Sequence, residues 1–164
     1  ARWNGQTVGA HAFSVAQHAV LVEEIMTATT ERLESRWRLA ALLHDAPEYV
    51  IGDLISPFKS AIGLDYKAFE IRLLGAIHRR FGLPEALPAD VSAAIKAADR
   101  VAAYYEATRL AGFAPREAAQ VFGQPRIPAA LKATLSALQP LPTEAAQARF
   151  LSRFALLSGS LQGS

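Results

Sequence analysis

The stretch Leu42-Leu43-His44-Asp45-Ala46-Pro47-Glu48 decides the fold. It closes a run, about Glu31 to Asp45, in which Leu33, Trp37, Ala40, Ala41 and Leu43 recur at helical spacing. Pro47 disfavours helical geometry at Ala46, so the run is expected to end at the histidine–aspartate pair. Pro47 then opens a short new turn carrying Glu48. A core position would not select an imidazole beside a carboxylate, because burying a charge without a partner or a metal is costly. His18 upstream and Asp99 downstream complete a possible set of two imidazoles and two carboxylates. That mixture of nitrogen and oxygen donors suits a catalytic divalent transition metal better than a structural zinc.

The helical period extends outward in both directions. A helix from about His11 to Thr29 would bury Phe13, Ala16, Val20, Leu21 and Ile25. Thr30 reads as the cap of the helix that follows, with Glu31 favouring its dipole. Gly52-Asp53 and Ser56-Pro57 mark a loop with a helical turn. Asp65 caps a helix reaching about Phe81, where Gly82 and Pro84 stop it. Asp90 caps the next, about Val91 to Leu110, which holds Lys96 and Asp99. Pro115 and Pro128 read as first-turn prolines, and a last helix spans about Thr143 to Leu157. With no internal repeat or heptad seam, the chain reads as one all-α domain, 1–157, with 158–164 as a flexible tail.

Composition agrees and narrows the chemistry. At 164 residues, 51% of them apolar, the chain is the size of one domain with a substantial core. Ala and Leu dominate over Val, Ile and Thr, which favours helix over sheet. A formal charge of +2 demands no polyanion-binding surface, so no nucleic-acid partner is expected. Zero cysteines exclude a disulfide, a thiolate nucleophile and a cysteine-ligated cluster, which fits a cytoplasmic enzyme. No apolar run approaches the roughly 18–20 residues of a membrane span, and no signal peptide is visible. The start at Ala1 rather than Met, directly before Arg2-Trp3, implies that further residues precede it.

Taken singly, each of these residues has an ordinary explanation. A histidine on an apolar helix, such as His18, is as a rule a satisfied core residue. Asp99-Arg100 alone could be a surface charge pair, and a bare His-Asp dipeptide arises by chance. The combination is more telling. Ser14-Val15-Ala16-Gln17-His18, His44-Asp45-Ala46-Pro47-Glu48, Gly52-Asp53 and Lys96-Ala97-Ala98-Asp99-Arg100 follow one another in the order of the HD-domain phosphohydrolases, which this chain resembles. More narrowly, it resembles the small branch of bacterial 5′-deoxynucleotidases and deoxynucleoside triphosphohydrolases. The resemblance covers about Arg2 to Tyr105 and departs from the pattern at Gln17, where an acidic residue often stands.

The resemblance implies an HD-type helical bundle with the metal site between central helices. It makes His18, His44, Asp45 and Asp99 the ligands of one divalent ion, which Mn, Co, Zn, Fe, Ni or Mg could supply. It gives Glu48 a catalytic role, consistent with a carboxylate returned towards the ion by the turn at Pro47; the rival reading is a helix-start glutamate. Asp53 matches a position near the sugar hydroxyls, with a turn aspartate as the alternative. Lysine is scarce, four against thirteen arginines, and Lys59 and Lys96 fall where the family places phosphate-contacting cations. Arg2 adds a planar fork suited to phosphate, and Trp3 becomes a discriminator of deoxyribose; a frayed terminus and a core tryptophan are the alternatives. His78-Arg79-Arg80 reads as a cationic helix end. The expected activity is hydrolysis of a nucleotide phosphate ester, of 5′-nucleotidase or dNTP triphosphohydrolase type. Three cations beside a metal exceed the need of a monophosphate and tilt the reading towards di- or triphosphates. A non-catalytic nucleotide sensor is the alternative, and the family implies a homo-oligomer.

Overall fold

A computed structural model describes residues 1–52 and 64–162, and all regular structure among them is helical. After a 3-10 turn at Arg2–Gly5, the helices are α1 Val15–Thr29, α2 Ser35–Leu42, α3 Pro47–Ile51, α4 Leu64–Arg80, α5 Ala89–Arg109, α6 Pro115–Phe122, α7 Ala129–Ser136 and α8 Thr143–Gln162. Helix α1 is the axis of one compact domain. It is buried almost all round, as expected of a helix whose apolar residues leave no polar stripe. It packs against α2, α5 and α8, and α2 packs in turn against α8. Phe13, Ile25, Met26, Leu39, Leu42, Leu110 and Leu157 fill the core between them.

A central helix forces its polar residues to find partners inside the protein. Glu23, fully buried, accepts from Arg38 Nε of α2 and Arg153 Nη1 of α8, each at 2.7 Å, and so joins three helices. His18, one and a half turns earlier on α1, is 0% exposed and belongs to the site described below.

Several helix ends differ from expectation, each for a local reason. Helix α1 begins at Val15 rather than His11, because Ser14 is extended and its Oγ accepts from the Gln17 amide at 3.1 Å. Thr30 ends α1 instead of capping α2: its N–H returns to the Met26 carbonyl, and Arg32 at φ 52° breaks the run before Ser35. Pro88, not Asp90, precedes α5, and Pro128 precedes α7 rather than opening it. Helix α8 continues past Leu157 to Gln162, so residues 158 to 162 extend the helix that the sequence reading stopped there.

The break at the doublet also has its own geometry. Helix α2 ends at Leu42, and Leu43 at φ −97°, ψ 4° leaves the helical region. The next amides bond three residues back, Ala46 to Leu43 and Glu48 to Asp45, both at 2.9 Å. Ala46 itself is helical (φ −58°, ψ −31°), contrary to the expectation from Pro47. The tight bonds on both sides offset the penalty of that geometry before proline, and Pro47 opens α3 where its missing N–H is not needed.

Candidate metal centre

His44 and Asp45 sit in this tight turn, and His18 and Asp99 come to meet them from α1 and α5. His18 Nε2 lies 3.3 Å from Asp45 Oδ2 and 3.2 Å from Asp99 Oδ1. His44 Nε2 lies 3.4 Å from the same Asp45 oxygen, and the two imidazole centroids are 5.2 Å apart. His18, His44 and Asp99 each offer a donor atom within 4.8 Å of the others. The four residues expected as ligands are therefore brought together.

The outer nitrogen of each imidazole is fixed by what it touches. His44 Nδ1 is 2.8 Å from the Ala41 carbonyl, which can only accept, so this nitrogen carries the proton. His18 Nδ1 is 2.6 Å from Glu106 Oε1 and donates to it. In both rings Nδ1 is thereby engaged and Nε2 is turned towards the carboxylates, the arrangement by which protein carboxylates and carbonyls orient metal-binding histidines. Neither Nε2 has a hydrogen-bond partner, although both are buried. Two buried ring nitrogens facing two carboxylates without a geometric hydrogen bond call for a positive charge between them, whether a proton or a metal ion.

Electrostatics points the same way. Asp45, Asp99 and Glu106 surround His18, with Arg2 as the compensating cation. Burial opposes a charge on His18, yet Glu106, Asp45 and Asp99 outweigh burial and Arg2, and its pKa rises well above the usual imidazole value. The site thus asks for positive charge at this nitrogen. Burial pushes His44 down from 6.5, towards the neutral form that a metal requires. Asp45 is held ionised: burial works against its charge, but His44, His18 and Arg2 bring its pKa well below the carboxylate range. The donor set and its charge fit a divalent cation.

Glu106 is a site residue that the sequence reading does not single out. It is fully buried, and its second oxygen, Oε2, accepts from Arg2 Nε at 2.8 Å and Trp3 Nε1 at 2.9 Å. Burial alone would raise its pKa, but His18, Arg2 and Trp3 hold it down to about 2. A signal did exist: Glu106 stands seven residues after Asp99, two turns along the same face of α5.

Arg2 and Trp3 approach the site through Glu106. Trp3 and Asn4 have φ of 55° and 53°, a left-handed turn that is rare outside glycine. Neighbours in an extended strand point to opposite faces, whereas here both side chains reach one carboxylate oxygen. The turn is held by Arg2 N–H to the Phe13 carbonyl (2.8 Å) and by Trp3 ring contacts with Phe113 and Phe122. Arg2 Nη1 also lies 3.4 Å from Asp45 Oδ2.

Glu48, in the first turn of α3, lines a cavity of about 250 Å³ together with His44, Asp45, Lys67 and Glu70. Lys67 is a cation that the sequence reading did not single out. Lys96 is exposed and lines a second cavity with His44, His78 and Asp99. Asp53 and Lys59 lie outside the described residues. His11 is exposed and outside α1, whereas Tyr105 is buried in the core.

Comparison with known proteins follows the same boundaries. Residues 2–112 match the family described as 5′-deoxynucleotidase YfbR-like. The match takes in every residue of the site, Glu106 included, and stops before α6. An uncharacterized protein of Rhodobacter capsulatus is 50% identical over 163 residues, 99% of this chain and 82% of that protein. The uncharacterized protein YfdR of Escherichia coli (strain K12) is 33% identical over 81 residues, 49% of this chain and 41% of that one. No helix among the described residues is long and apolar enough to cross a membrane. The chain belongs to the 5′-deoxynucleotidase YfbR-like family of HD-type phosphohydrolases.

Proposed function

We propose that this protein is a metal-dependent phosphohydrolase that removes the 5′-phosphate from a deoxynucleotide, with His18, His44, Asp45 and Asp99 as metal ligands. The observation that carries this reading is the pair of buried, unpaired Nε2 atoms of His18 and His44 beside the Asp45 and Asp99 carboxylates. A divalent ion held by such a set would polarise a phosphoryl oxygen as a Lewis acid and lower the pKa of water to about 7 in the best cases.

The protein's own residues divide the remaining work. Glu48 lines the cavity that contains Asp45 and His44, where a carboxylate can take a proton from the attacking water and return it to the leaving 5′-oxygen. Lys96 and Lys59 neutralise the non-bridging phosphate oxygens. Asp53 orients the sugar hydroxyls and Trp3 lies against the deoxyribose. Glu106 holds His18, Arg2 and Trp3 in one arrangement, so that ligand and substrate contacts are set before the substrate arrives.

The engagement of Arg2 favours the shorter phosphate chain. The tilt towards a triphosphate rested on three spare cations, but Arg2 already pairs with Glu106 and Asp45. The reduced cation supply matches a monophosphate of about −2 charge, and the family description names a deoxynucleotidase. A homo-oligomer acting on small-molecule nucleotides in the cytoplasm completes the proposal.

The test is product analysis with a panel of deoxynucleoside mono- and triphosphates, with and without Mn²⁺, Co²⁺ or Mg²⁺. Metal-dependent orthophosphate from the monophosphates is the expected result. Tripolyphosphate from the triphosphates, resolved by chromatography, would replace it with the triphosphohydrolase reading. Calorimetric binding of nucleotide without either product would establish the sensor instead.

A further inference from the structure

Two cavities share His44 and Leu74 in their linings and differ in character. The one with Glu48 is rich in charge. The other, about 240 Å³, has apolar walls from Leu74, Leu87 and Ile95 and reaches Asp99 and Lys96. His78 belongs to its lining, although the sequence marked this residue as one of three cations at a helix end.

His78 is 2% exposed, and its Nδ1 lies 3.3 Å from the Glu85 carbonyl. The carbonyl can only accept, so Nδ1 carries the hydrogen and Nε2 the lone pair. That Nε2 has no partner. Burial lowers the pKa of the ring from 6.5, more than the Glu85 and Pro84 carbonyls raise it, and keeps the acceptor form.

The sequence goes to some length to build this arrangement. Gly82 at φ 74° ends α4, with the Leu83 amide returning to the His78 carbonyl at 2.9 Å and the Gly82 amide to that of Arg79 at 3.2 Å. The chain then doubles back over α4. At Gly75 a Cβ would come within 2.7 Å of Glu85 Cγ, so the missing side chain lets Glu85 lie against the helix. Glu85 also pairs with Arg79, and its carbonyl is thereby held at His78 Nδ1.

A buried acceptor without a partner, in the wall of an apolar cavity that reaches two candidate metal ligands, calls for a donor. The volume is below the roughly 300–1,000 Å³ of sites for whole drug-sized ligands. It suits one planar ring system with apolar faces and a polar N–H edge. We propose that this cavity receives the base of the nucleotide whose phosphate is held at His44 and Asp99, with His78 Nε2 accepting a hydrogen bond from an N–H of that base. The proposal rests on the nucleotide reading above and assigns specificity to the end of α4 and the segment that follows it.

The test uses nucleosides, which carry no phosphate. Wild-type protein loaded with diamagnetic Zn²⁺ and labelled with ¹⁵N is titrated with each of the four 2′-deoxynucleosides while the histidine ring nitrogens are followed by NMR. The His78 signals are assigned from a His78→Gln variant. At least one nucleoside is expected to shift His78 Nε2, and its counterpart with the N–H methylated is expected to bind about tenfold more weakly, the worth of one neutral hydrogen bond. No shift at His78 with any nucleoside up to its solubility limit overturns the proposal and leaves only water for the cavity. Equal shifts from the methylated counterpart overturn it as well. A shift without hydrolysis of the matching monophosphate would sustain the base site and defeat the hydrolase reading; hydrolysis without a shift would do the reverse.

Discussion

The Nδ1 of His18 and the Oε1 of Glu106 lie 2.6 Å apart, and both side chains are fully excluded from solvent. A contact of that length between an imidazole N–H and a carboxylate is a charge-assisted hydrogen bond, among the stronger interactions available to side chains. Because Glu106 uses its other oxygen for Arg2 and Trp3, one carboxylate answers to both the candidate metal ligand and the N-terminal turn.

Replacement of Glu106 by Gln separates these duties. The amide oxygen can still accept from His18, but the amide NH₂ meets the Arg2 and Trp3 donors. Metal affinity by calorimetry is expected to fall about 10–100-fold, the usual cost of losing an outer partner of a metal-binding histidine. Trp3→Phe removes one donor from the same oxygen and should weaken metal binding less. Unchanged affinity in Glu106→Gln would show that the carboxylate has no say in how His18 is presented.

Glu48→Gln is expected to lower kcat by about 10²–10⁴-fold, the range for a lost general acid or base. Metal affinity should be retained, since the four proposed ligands are intact. Phosphate release and calorimetry on the same preparation check both halves. A parallel loss of metal would make Glu48 a ligand instead of a proton carrier.

His78 gives a pH signature in stability. Its pKa in the folded protein is depressed by burial below the unfolded value of about 6.5. The unfolded chain therefore binds more protons between the two values, and stability rises with pH across that interval. The contribution is complete above the unfolded value, declines as pH falls below it, and levels off beneath the folded value. Thermal unfolding between about pH 5 and pH 8 should show a smaller loss on acidification in His78→Leu than in wild type. His44 shifts in the same direction and His18 in the opposite one, so the comparison between the two proteins, not either curve alone, isolates His78.

The Glu23 network should behave as a unit. Arg38→Ala or Arg153→Ala leaves the buried carboxylate one guanidinium, while the double variant leaves it none. Breaking a buried ion pair costs about 3–5 kcal/mol, so the double variant should lose clearly more than the sum of the singles. Denaturant unfolding measures the difference. Simple additivity would mean that water reaches Glu23 once one arginine is gone.

The all-α architecture was legible from the period of apolar residues, since tertiary packing follows that period almost everywhere. The doublet was legible too, because Leu42-Leu43 ends a helix at His44-Asp45 just ahead of a proline. Boundaries were harder where a local device overrides pattern. The left-handed Arg32 moved the start of α2 past Thr30, and the three-residue bonds after Leu43 kept Ala46 helical. Glu106 was hidden by its aromatic neighbours, although its distance from Asp99 in sequence marked it. His78 was misread because its burial comes from residues 83–87 folding back over α4, which no periodicity announces.

The contact between Arg2 and Glu106 spans 104 positions of the chain. During synthesis, residues 2 and 3 leave the ribosome long before residue 106 exists, and domains assemble only as their chain becomes available. Joining segments so distant also carries the loop-closure entropy that delays non-local contacts in folding. The contact that orients His18 therefore forms only after α5 has been made and has met the Arg2–Gly5 turn, so the proposed metal site would be completed by a long-range closure and not by any local segment.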